Sequence, residues 1–137
     1  GLLDAKPCRI ILEISSKKKH SEILLKWIKN EVRKSSSMAI NDFSRKLNVK
    51  VSKIKISNSF SYWGSCNSKN EISINWRLIF CPQFVLNYII AHELSHLIEF
   101  NHSKKFWNLV DKLITNRLDA QKWLKQNDNY MYRLRLD

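Results

Sequence analysis

The chain has 137 residues, 44% of them hydrophobic and 11% aromatic, which supports a packed core and argues against a disordered or low-complexity polypeptide. Its formal net charge is +12, and no apolar run approaches the length of a membrane-spanning helix. Three cysteines (Cys8, Cys66, Cys81), an odd number with no Cys-x-x-Cys pair, fit free thiols in a reducing compartment better than a disulfide framework, so the protein is read as cytoplasmic.

Leu2-Leu3 is followed at once by Asp4 and Lys6, which is no signal-peptide pattern, and an initial glycine in place of methionine predicts a piece lacking some native N-terminal sequence. Cys8 to Ile14 reads as a strand. His20 to Lys34 reads as an amphipathic helix, because Ile23, Leu24, Trp27, Ile28 and Val32 recur at three- and four-residue steps. Ser35-Ser36-Ser37 is expected to break it, and Met38 to Leu47 to form a second short helix with Ile40, Phe43 and Leu47 on one side. Val49 to Ser57 alternates and predicts a strand with lysines on its outer face.

Ser57 to Ser68 is then expected to be a polar loop studded with aromatics. Gly64 within it is the only internal glycine, so a positive φ or a close approach is expected there. Glu71 to Trp76 predicts a strand with Ile72, Ile74 and Trp76 on one side. If that strand is an edge, an extended substrate backbone could pair with it. Pro82 fits the first turn of a helix running to about Glu99 or Phe100, apolar around most of its circumference and therefore central and buried. Asn101 suits the left-handed turn that ends a helix. Ser103 can cap the next helix, whose core stripe is Phe106, Trp107, Val110, Leu113 and Ile114. Asp119 to Gln126 predicts one further short helix. With no repeats and no linker, residues 1–137 read as one domain.

The chemistry concentrates in His92-Glu93-Leu94-Ser95-His96, followed by His102. On a helix, His92 and His96 project from one face about a turn apart, and one tetrahedral metal can accept a nitrogen from each. Glu93 lies where its carboxylate reaches a water on the metal without binding the ion. A chain that turns after the helix can return His102 as third ligand, and three histidines with one open position is the layout of a catalytic zinc. Cys66 or Cys81 could instead supply a fourth ligand and close the site, and Glu99 is a rival third ligand. In the catalytic reading, zinc lowers the pKa of its water to about 7, Glu93 takes the proton as that water attacks a carbonyl, and then passes it to the leaving amine. Tyr62 is a candidate donor to the oxyanion. The plain alternative is a buried helix that happens to carry two histidines.

His92 to Trp107, with Trp63-Gly64-Ser65-Cys66 and Asn75-Trp76-Arg77-Leu78 upstream, resembles the YgjP-like metallopeptidase domain, and the related SprT-like and WLM metalloproteases share much of this pattern. The matching stretch runs from about Ser59 to Leu124, and the Asn-His-Ser-x-x-Phe-Trp ending at Trp107 is more specific than His-Glu-x-x-His alone. The resemblance implies a zincin-like α+β fold in which a small sheet packs against the active-site helix. It also implies zinc held by His92, His96 and His102, a Trp-Gly-Ser-Cys loop near the site, and a peptide or protein substrate. Tyr62 stands where the family usually has arginine, and family members commonly carry more N-terminal β structure. The metzincin spacing matches in its histidines, but Glu99 replaces the glycine of the metzincin turn.

Two other functions compete. A metal-dependent nucleotide or phosphoester hydrolase fits the basic surface and Lys104-Lys105 at a helix start, where an anion is favoured. A zinc-stabilised nucleic-acid-binding module fits the basic N-terminal half, including Lys17-Lys18-Lys19 and Lys50 to Lys55, although no zinc-finger, helix-turn-helix or RNA-binding signature accompanies it. A lysine-rich solvated surface explains the same charges.

Overall fold

The computed structural model describes residues 18–129, so the strand expected at Cys8 to Ile14 lies outside the described residues. The first element among the described residues is a 30-residue helix, α1 (Lys18–Leu47). The break expected at Ser35-Ser36-Ser37 does not occur. Ile28, Val32, Ser36, Ile40, Phe43 and Leu47 form one buried stripe at three- and four-residue steps, and the serine simply occupies a place in it. Ser37 Oγ donates back to the carbonyls of Arg33 (2.9 Å) and Lys34 (3.1 Å), so its hydroxyl is satisfied within the helix. Serine costs a helix only about 0.5 kcal/mol relative to alanine, and the packed stripe outweighs that. The helix ends at Asn48, left-handed at φ 54°, with Val49 N donating to Ser44 O and Asn48 N to Arg45 O, a Schellman arrangement.

Three strands follow: β1 (Lys53–Ser57), β2 (Gly64–Cys66) and β3 (Glu71–Asn75), in the order β1-β3-β2. β1 pairs with β3 in parallel, keeping Lys53 and Lys55 outward as expected, and β2 pairs with β3 antiparallel. Two expectations change here. The loop expected from Ser57 to Ser68 contains β2, a strand too short to show alternation, whose register comes from its partner. β3 is the central strand, not an edge, so no substrate can add to it. The β2–β3 turn is closed by Asn67 Oδ1, which accepts from the backbone N–H of Lys69 and Glu71, and by the left-handed Asn70 (φ 59°).

Trp76–Phe80 is a buried 3-10 turn whose cap is Asn75: its side chain accepts from Arg77 N. α2 (Gln83–His96) then crosses the centre of the molecule with Val85, Leu86, Tyr88, Ile89, Ile90, Ala91, Leu94 and Ser95 buried. Pro82 stands one place before its first residue, as N-cap. α2 stops earlier than Glu99, and Asn101 does not take the left-handed conformation. Instead the chain loosens through Leu97, which stays right-handed, and Ile98 and Phe100 emerge into solvent. α3 (Lys104–Leu113) is capped by Ser103, whose Oγ accepts from Phe106 N, and buries Phe106, Val110 and Leu113. α4 (Arg117–Gln126) starts two residues before the expected Asp119 and buries Ala120. The protein is thus α+β: among the described residues, helices surround a small three-stranded sheet, with α2 in the centre. No described helix is long and apolar enough to cross a membrane.

Candidate metal centre

His92 and His96 lie one turn apart near the end of α2, and the loosened segment after it brings His102 back beside them. His102 Nε2 lies 3.0 Å from His96 Nε2 and 3.2 Å from His92 Nε2. Three nitrogens bound tetrahedrally at 2.0–2.1 Å would stand roughly 3.3 Å apart, so the spacing fits a shared cation. The donor set makes the same point chemically. His96 Nδ1 lies 3.0 Å from the Glu99 carbonyl, which can only accept, so in the neutral ring Nδ1 carries the hydrogen and Nε2 a lone pair. His92 Nδ1 likewise donates to Glu93 Oε1 at 2.7 Å. Two lone pairs therefore face His102 Nε2, which has at most one hydrogen to offer. A cation resolves that arrangement. Burial first, then the neighbouring His92 and His96, holds the His102 imidazole below its ordinary pKa and favours the neutral, ligating form.

Glu93 is buried against the floor of the site. Burial of the Cys66 thiol, followed by the charge of Glu93 and hydrogen bonding to it, pushes the thiol from the ordinary 9.0 up to about 11. Cys66 therefore stays protonated on Glu93. Among the described residues the ligating cluster is His92, His96 and His102, without either cysteine. Cys81 is buried and its Sγ donates towards Arg77 O at 3.7 Å. Glu99 meets the site through its backbone carbonyl, on His96, and not as a ligand. Tyr62 is 46% exposed and is held by its backbone carbonyl, which accepts from Asn75 Nδ2.

Gly64 allows the sheet to approach the helix. A Cβ there would stand 2.7 Å from Ile89 Cγ2 and 3.1 Å from Glu93 Cγ, and its φ is not positive, so close approach is the reason for glycine. The Trp-Gly-Ser-Cys segment thus lies directly on the face of α2 that carries Glu93.

Sequence reasoning missed two sets of residues. Asn75 and Arg77 anchor the aromatic loop: Asn75 Nδ2 donates to Ser59 O (2.7 Å) and Tyr62 O (3.1 Å), while the buried Arg77 guanidinium lies over the rings of Phe60 (4.2 Å) and Trp76 (4.5 Å). The available signal was two polar side chains within an otherwise buried run. The second set is aromatic. Phe106 stacks on His96 with ring centroids 4.3 Å apart, and Trp107 on His102 at 5.6 Å. Both were read as core and as part of the Asn-His-Ser-x-x-Phe-Trp stretch, without a role at the histidines.

A family model described as "YgjP-like, metallopeptidase domain" matches residues 3–127. No curated protein matches the chain closely enough to count as a relative. The crystal structure of the metallopeptidase zymogen abylysin of Pyrococcus abyssi aligns with a TM-score of 0.57 and 18% identity, over 65% of this chain and 91% of that one. At that identity the likeness shows a shared fold.

Proposed function

The chain belongs to the YgjP-like metallopeptidase domain family, and from that premise we propose that it is a zinc-dependent peptidase of the His-Glu-x-x-His type. The observation that carries this reading is the convergence of three Nε2 atoms, two of them with lone pairs fixed by Nδ1 hydrogen bonds. His92, His96 and His102 are the proposed ligands, and Glu93 the proposed base. We take the whole chain as one such domain acting in the cytoplasm, where its described free thiols, Cys66 and Cys81, stay reduced.

A zinc ion held by these imidazoles supplies the Lewis acidity that polarises a peptide carbonyl and brings the pKa of a water to about 7. Glu93 accepts the proton of the attacking water and delivers it to the leaving amine. One carboxylate oxygen is engaged by His92, but a carboxylate has about four lone-pair positions and keeps capacity for that proton. The His92 imidazole holds the carboxylate at 2.7 Å, which limits its movement between the two transfers. Because β3 is central, the strand proposed to receive an extended substrate is β2, whose Gly64 lies against Glu93.

The test is metal analysis combined with peptide hydrolysis in Glu93→Gln. Zinc is expected to remain at wild-type content while turnover falls about 100- to 10,000-fold, the usual range for loss of a positioned acid–base group. Full cleavage by this variant would refute the base. Release of phosphate or pyrophosphate from nucleotides, with no peptide cleavage, would replace the peptidase with a phosphoester hydrolase.

A further inference from the structure

We propose that Arg117 and Asp111 are positioning residues for His102, acting through Trp107; this rests on the three-histidine reading above. The three candidate ligands are not held alike. His92 and His96 are carried by α2, and each has its Nδ1 hydrogen-bonded, to Glu93 Oε1 and to the Glu99 carbonyl. His102 follows the helix, in an exposed stretch of chain. Beyond the approaches of its Nε2 to His92 and His96, the described contacts of its ring are aromatic. Trp107 lies nearly parallel to it, 22° between planes and 5.6 Å between centroids, and Phe106 meets it edge-on at 5.0 Å. Whatever fixes the Trp107 indole therefore helps to fix the direction of His102 Nε2.

Phe106 is fully buried and meets the Trp107 indole edge-on at 4.8 Å, but Trp107 itself is only half-buried. The Arg117 guanidinium lies over the indole, with Cζ 4.7 Å from the ring centroid. That guanidinium is itself clamped: Nε and NH2 donate to Asp111 Oδ1 at 2.7 Å and Oδ2 at 2.9 Å, the paired geometry that fixes a guanidinium plane. Asp111 follows Trp107 by four residues on α3, so carboxylate and indole rise from the same face of one helix. Arg117 closes the triangle from the first turn of α4. Outer partners of this kind commonly set metal affinity by orienting a ligand they never replace.

A structural role for the same residues would act through α4, which has other anchors: Ala120 is fully buried, and Gln121 Nε2 donates to the Tyr88 hydroxyl at 3.2 Å. Loss of Arg117 is therefore expected to leave α4 docked. The experiment measures zinc affinity by chelator competition in the full chain for Arg117→Gln, Asp111→Asn and Trp107→Leu, with Arg117→Gln/Trp107→Leu closing a cycle. The visible spectrum of the cobalt-substituted protein and the melting of the metal-free protein are read alongside. Arg117→Gln and Asp111→Asn are each expected to weaken zinc about 10- to 100-fold, to change the cobalt bands, and to leave metal-free melting near that of the parent. Arg117→Gln is expected to add nothing once Trp107 is Leu. If His102→Ala binds zinc as tightly as the parent, the three-histidine reading fails and this inference with it. If His102→Ala weakens zinc while Arg117→Gln and Asp111→Asn leave affinity and spectrum unchanged, only the positioning role is overturned. Equal losses from Arg117→Gln with and without Trp107 would also overturn it.

Discussion

At the scale of single residues, the site depends on how closely two surfaces approach. Gly64 shows this most directly, since a methyl group there would collide with Ile89, a branched and buried side chain, and press on Glu93. Gly64→Ala is expected to cost about 1–3 kcal/mol in urea unfolding, the usual range for overpacking. Peptide hydrolysis is expected to fall as well, because the displaced group is the proposed base. Unchanged stability and turnover would show that the contact relaxes without consequence. His92 and His96 were legible from spacing because a helix puts residues four apart on one face, whereas His102 lies past its end and needed the chain to turn back. The hydrogen bond from Cys66 to Glu93 was not legible, because 27 positions separate them and only strand pairing brings them together.

At the scale of elements, α1 is the largest departure from expectation. Three consecutive serines imply a break only if nothing else holds the helix, and here a buried stripe continues through Ser36. Its hydroxyl is buried with no hydrogen-bond partner among the described residues. Ser36→Ala removes that unsatisfied group and raises helix propensity, so it is expected to stabilise the protein by about 0.5–1 kcal/mol. A raised urea midpoint with an unchanged slope would bear this out; a destabilised protein would show that the hydroxyl has an important partner. β2 illustrates the opposite case. Gly-Ser-Cys has little strand propensity of its own, and β3 holds it in place through Gly64↔Ile74, Ser65↔Ser73 and Cys66↔Ile72. The early end of α2 also serves the site, because the Glu99 carbonyl is left free to hold His96 and the chain can return His102.

At the scale of the whole molecule, charge is unevenly spread: fourteen basic against five acidic residues through Lys55, and ten against seven beyond it. The structure gives that surplus one local shape. A cavity of about 650 Å³ on α1 is lined by Ile23, Lys26, Trp27, Lys29, Asn30 and Arg33, with none of the three site histidines in its wall. Cations around a half-exposed indole suit a single-stranded polyanion, and on that ground nucleic-acid binding at this face is proposed in addition to the proposed peptidase activity. Oligouridylate is expected to bind with an affinity that falls steeply with salt and is lost in Lys26→Glu/Lys29→Glu. A flat salt response, or full binding by that variant, would return these lysines to ordinary solvation.

Sequence alone pointed to a metallopeptidase domain and its general α+β order, and singled out His92, Glu93, His96 and His102 as the candidate residues. These follow from local periodicity, from the helical spacing of His92 and His96, and from the resemblance carried by the Trp-Gly-Ser-Cys and Asn-His-Ser-x-x-Phe-Trp stretches. Tertiary structure decided that α1 is continuous, that β3 is internal, that Cys66 sits on Glu93, and that a Trp107–Arg117–Asp111 triangle lies behind His102. Each of these depends on packing between segments distant in the chain, and neither propensity nor spacing encodes which distant surface a side chain will meet.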